Sequence, residues 1–135
     1  MKRFAFISAL LLLGTVLSSS ILPPSPDSYG YRVFLQHPEG YTYKCGCAMG
    51  TVTAANLKGS TMTIDYTMQC AGQAIKGTMT GTFDSYHNRF TGTYTSNQGH
   101  WMGDISFAFN AQGEATGTWT SQHQSGGLEM LLRAN

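Results

Sequence analysis

The chain is 135 residues long and sets eight lysines and arginines against seven aspartates and glutamates, a formal charge of +1, with only 11% of its residues charged. Nucleic-acid binding is excluded, because clustered basic groups that neutralise phosphate supply most of that affinity and this chain has neither clusters nor excess. The length allows one domain with a single modest core.

The first predicted element is a targeting segment. Met1-Lys2-Arg3 is basic, Phe4 to Leu17 is apolar, and Ser18, Ser19 and Ser20 are small residues where a signal peptidase can cut. Residues 1–20 therefore read as a signal peptide, and the mature chain as secreted or periplasmic. The apolar run falls short of the roughly 20 residues a spanning helix needs, so no membrane insertion of the mature chain is expected. Loss of Lys2 and Arg3 leaves six basic residues against seven acidic ones, a mature charge of −1. Residues 21–30, with Pro23, Pro24 and Pro26, read as an extended leader, and 31–135 as one β domain.

Eight strands are predicted in that domain, at about 31–36, 41–54, 60–70, 74–84, 89–96, 101–109, 114–121 and 128–133. Their links are short and rich in turn residues, Asn56 to Gly59 and Ala71-Gly72-Gln73 among them, and short links make successive strands neighbours. The fold class is therefore all-β: an antiparallel up-and-down meander, expected to close into a small barrel, with a β-sandwich as the alternative. Alternation assigns the faces. Met62, Ile64, Tyr66, Met68 and Cys70 form an inward row, continued by Ile75, Met79, Phe83, Phe90, Tyr94, Ile105, Phe107, Phe109, Trp119, Leu128 and Met130, while threonines such as Thr80, Thr93 and Thr118 face outward.

Gly-Thr-aromatic recurs as Gly81-Thr82-Phe83, Gly92-Thr93-Tyr94 and Gly117-Thr118-Trp119. Strands of this kind in an exported eight-stranded meander are similar to avidin-type and lipocalin-type barrels. The resemblance implies the barrel fold and carries no functional residue with it. Gly77, Gly81, Gly92 and Gly117 fall on the inward face. They read either as aids to closure of a strongly bent sheet, with a neighbouring ring covering each gap, or as room for a ligand.

Three cysteines in an oxidising compartment predict a disulfide. A hairpin turning about Asn56 to Gly59 sets Cys45 opposite Cys70, the expected pair; Cys47–Cys70 requires a slight shift of register. The remaining thiol, Cys47, reads as buried because it shares a face with Tyr43 and Cys45, and Cys45-Gly46-Cys47 lacks the spacing and second pair of a zinc site. No metal and no cofactor are expected. His37, His87, His100 and His123 all lie in predicted loops, with His100 and His123 at one rim and His87 at the other. No nucleophile motif or facing carboxylate pair is present, and no catalytic residue is assigned.

Tyr66, Tyr94, Trp101, Phe107 and Trp119 are the candidate ligand-binding residues. The expected function is an exported, non-enzymatic β-barrel that binds a small apolar or aromatic ligand, or a partner protein, at the barrel mouth. The alternative is an envelope structural or interaction protein with a filled core. A void lined by the aromatic set separates the two readings.

Overall fold

Alternation of apolar and polar side chains builds the molecule. In the strand Thr61–Cys70 every second residue, Met62, Ile64, Tyr66, Met68 and Cys70, is buried, while Thr61, Asp65 and Gln69 are exposed. The computed structural model describes residues 30–46, 48–97, 101–122 and 124–132. Eight strands follow a short helix α1 (Gly30–Gln36) and a 3-10 turn (Pro38–Gly40): β1 (Tyr41–Cys45), β2 (Ala48–Lys58), β3 (Thr61–Cys70), β4 (Gln73–Asp84), β5 (Arg89–Ser96), β6 (Gly103–Phe109), β7 (Ala115–Thr120) and β8 (Ser125–Leu132). Each strand pairs antiparallel with the next, and β8 returns to β1 with Tyr43 opposite Met130, closing the barrel. Closure hides the apolar face and removes both sheet edges.

Two elements differ from expectation. Residues 31–36 form helix rather than strand. The helix buries Gly30 and Phe34, four residues apart on one face, and sets the Phe34 ring edge-on to Tyr41 at 4.8 Å and 5.1 Å from Phe109. Gly30 is required there, because a Cβ would strike the Asn110 carbonyl oxygen. The predicted strand 41–54 is two strands, with Cys45 paired to Ala48 across a two-residue hairpin whose Gly46 has φ +58°. Such tight turns favour glycine because side chains disfavour positive φ.

That hairpin overturns the expected disulfide. Cys45 lies on β1, away from β3, and its thiol is free, so the Cys45–Cys70 bond is not formed. The β2–β3 turn also sits later than expected, with Lys58 paired to Thr61 around Gly59 and Ser60, and a bulge follows between Val52 and Ala54. Beyond the bulge Met49 faces Gln69, a register in which the residue opposite Cys70 is Ala48.

The barrel has unlike ends. At one, α1 and the turns after β2, β4 and β6 sit over an aromatic layer in which Phe90 and Phe107 stack at 5.0 Å and Phe107 meets Phe109 edge-on at 5.6 Å. This end is packed shut. The connections after β1, β3, β5 and β7 leave the opposite end. The expected signal peptide, 1–20, and all of the expected leader 21–30 except Gly30, which opens α1, lie outside the described residues.

Candidate functional site

The open end is built from one arrangement used four times. An inward aromatic on each odd-numbered strand pairs with a glycine on the following strand: Tyr43 with Gly50, Tyr66 with Gly77, Tyr94 with Gly103 and Trp119 with Gly126. The missing side chain lets the ring lie over the neighbouring strand. A Cβ on Gly50 would fall on the Tyr43 ring, and one on Gly77 would strike the Tyr66 hydroxyl. Three of the rings thus span a strand to its far neighbour. The Tyr43 hydroxyl donates to the Thr67 carbonyl at 3.3 Å, Tyr66 to Thr95 at 2.9 Å and Tyr94 to Thr120 at 3.0 Å. The Trp119 indole N–H donates to the Gly127 carbonyl at 3.0 Å. Rings laid over glycines restore the packing the glycines give up and pin the sheet's curvature.

Above this girdle lies a cavity of about 340 Å³, within the range of small-molecule sites. Tyr43, Tyr66, Tyr94, Trp101 and Trp119 line it, with Met68, Met79, Ile105 and Leu128 as the apolar remainder and Gln124 and Ser125 on the wall contributed by the β7–β8 side. Among the described lining residues none carries a formal charge. Burial dominates the electrostatics. It pushes the Tyr43 and Tyr66 hydroxyls well above the ordinary phenol range and raises that of Tyr94, with repulsion adding to the effect from Cys45 on all three, from Tyr66 on Tyr43, from Tyr94 on Tyr66 and from Asp104 on Tyr94. The free Cys45 thiol lines the same space and is pushed up by burial, so it stays protonated and weakly reactive.

Of the residues singled out in the sequence, Tyr66, Tyr94, Trp101 and Trp119 come together at this cavity. Phe107 does not. It is fully buried one layer lower, against Phe90 and across from Gly117. Tyr43 and Cys45 also line the cavity, on a hairpin that alternation alone renders as one strand, so the sequence does not mark them as cavity residues; the glycine of Cys45-Gly46-Cys47 is the available signal. Cys70 is buried near the end of β3. His100 and His123 lie outside the described residues. His87 sits at the shut end, its Nδ1 2.6 Å from Asp84 Oδ2. That contact, helped by the Tyr86 and His87 backbone N–H groups, holds the Asp84 carboxyl below its usual range and shapes the β4–β5 turn.

Fold and cavity together define the class: a closed eight-stranded antiparallel β-barrel, shut at one end by a helix and hollow at the other. Comparison with protein-family models, with curated proteins and with solved structures gives no match. Function is therefore argued from the cavity.

Proposed function

We propose that this is an exported, non-enzymatic barrel protein that takes a small apolar or aromatic ligand into its open end. The observation that carries this reading is the cavity of about 340 Å³ walled by aromatic and sulfur-bearing side chains. A protein with a purely structural role gains nothing from such a space, since unfilled volume in a core costs stability. Trp101 and Trp119 are both half-buried at this site, the arrangement in which an indole offers a ring face to a flat ligand. Export rests on the basic and apolar N-terminal segment.

The test is native mass spectrometry of protein purified from its own host, beside an Ala48→Phe variant. Ala48 is buried in the cavity wall, so the added ring occupies the ligand's space. The natural protein is expected to carry a small-molecule adduct, and the variant to lack it while showing the same far-UV circular dichroism. A bare natural polypeptide under gentle desolvation that also gains no mass from a library of apolar compounds sinks the reading. A partner protein retained in place of a small molecule would instead make the mouth a docking surface.

A further inference from the structure

The cavity has a sharply defined floor. On β1, β3, β6 and β8 its deepest wall residues are Tyr43, Tyr66, Ile105 and Leu128. Two positions closer to the shut end, the same inward faces carry Tyr41, Ile64, Phe107 and Met130, all fully buried and none of them in the wall. On four strands the space thus stops at the same step. On β4 it stops at Met79, the one inward side chain between Ile75 and Phe83 that is not glycine. Beneath lie the Phe90–Phe107 stack and the rings of Phe34, Tyr41 and Phe109, which leave a ligand no way further down. Depth follows from strand geometry. On β8 the wall runs from Ser125 to Leu128, three steps of about 3.3 Å, which at a barrel tilt of roughly 40° is about 8 Å along the axis. An extended hydrocarbon chain, with C–C bonds of about 1.52 Å, advances about 1.25 Å per carbon, so the floor admits about six carbons. The space is also broad. A volume of about 340 Å³ over that depth averages roughly 40 Å² in section, about twice what a single chain with neighbours about 4 Å away can fill.

Resting on the carrier reading above, we infer that the site takes a compact ring system rather than a long hydrocarbon chain, and that Met79, Ile105 and Leu128 set the limit by closing the cavity from below. A chain longer than the cavity is deep leaves its far carbons in water and part of the cavity's width without contacts, whereas one or two fused rings bury their whole surface within the same depth. The floor, not the rim, carries this selectivity.

The test is titration calorimetry of the full mature protein with linear alcohols from butan-1-ol to decan-1-ol and with 2-naphthol, which matches decan-1-ol in carbon number and in its single hydroxyl. Affinity for the alcohols is expected to rise about four-fold per methylene up to about six carbons and then to level off, because later methylenes stay outside. 2-Naphthol should bind at least about four-fold more tightly than decan-1-ol, the worth of one further buried methylene. Met79→Ala and Leu128→Ala each lower the floor; in whichever keeps its far-UV circular dichroism, the levelling-off should move to a chain about two carbons longer. Affinity that climbs at the same rate through decan-1-ol, or decan-1-ol binding as tightly as 2-naphthol, would make the inferred ligand class wrong and leave the carrier reading standing. A levelling-off that does not move in a folded floor variant overturns the role given to that residue. If neither the alcohols nor 2-naphthol binds, the ligand class and the carrier reading fall together.

Discussion

At the scale of single residues, the glycines decide what the inward face can hold. Gly117 sits two positions before Trp119 on β7, and in the sequence it reads first as a point of closure, with space beside the indole as the alternative. The structure assigns it to closure. A Cβ there would fall on the Ser106 carbonyl oxygen and against Phe107, its cross-strand partner. Backbone cannot retreat as a flexible side chain can, so Gly117→Ala is expected to cost about 1–3 kcal/mol, the range for overpacking. Gly127 is the control, on the next strand, exposed and with nothing within 4 Å of its added Cβ. Gly127→Ala should stay within about 0.5 kcal/mol of the natural protein. Urea denaturation of the pair measures the difference, and equal tolerance would show that the close approach at Gly117 is not real. The space beside Trp119 exists nonetheless, one layer above. Alternation tells which side of a strand a residue faces; it does not tell how far along the barrel axis that residue lies, which depends on the stagger between strands. For this reason Trp119 and Tyr94 were legible as cavity residues while Phe107, on the same face, belongs to the packed layer beneath.

At the scale of elements, the strands from β3 to β7 were legible because each alternates cleanly and is bounded by turn residues. The first part of the chain was not. Tyr31-Arg32-Val33-Phe34-Leu35-Gln36 is rich in strand formers, and tertiary packing, of Phe34 on Tyr41 and Phe109 and of Tyr31 on Phe83, favours the helix instead. The eight-strand expectation survives because the split of 41–54 at Gly46 replaces the strand lost at 31–36. The same split redirects the cysteines. Cys45 is free, which leaves Cys47 as the partner that the sequence offers Cys70. Extending the Met49–Gln69 register by one residue brings Cys70 opposite Ala48, next in sequence to Cys47. We therefore expect peptide mapping of the non-reduced protein to find Cys47 joined to Cys70, with Cys45 recovered as the alkylated thiol after unfolding. Such a bond would tie the β1–β2 hairpin to the end of β3 beside the cavity mouth. A Cys45–Cys70 peptide would reverse this assignment and would require a different β2–β3 register.

At the scale of the whole molecule, the barrel is a shut half and an open half joined by tyrosines. Tyr41 lies in the aromatic plug with its hydroxyl buried and without a hydrogen-bond partner among the described residues, while Tyr43, Tyr66 and Tyr94 form the girdle under the cavity. Burial raises all four, Tyr41 to about 12. In the unfolded chain a phenol ionises near 10 (approximately). A group whose folded pKa is raised contributes stability that is complete below its unfolded pKa and disappears as pH rises through the folded one. The stability of this barrel should accordingly be insensitive to these tyrosines up to about pH 10, then fall toward pH 12 as the unfolded chain sheds protons that the folded chain retains. Ionisation and unfolding should arrive together. In an alkaline titration followed by phenolate absorbance and near-UV circular dichroism, the buried tyrosines are expected to ionise in one cooperative step that coincides with loss of the near-UV signal. If the full phenolate amplitude developed gradually near pH 10 with the near-UV signal intact, the girdle hydroxyls would be open to water. The strand-spanning bonds that shape the cavity would then not hold.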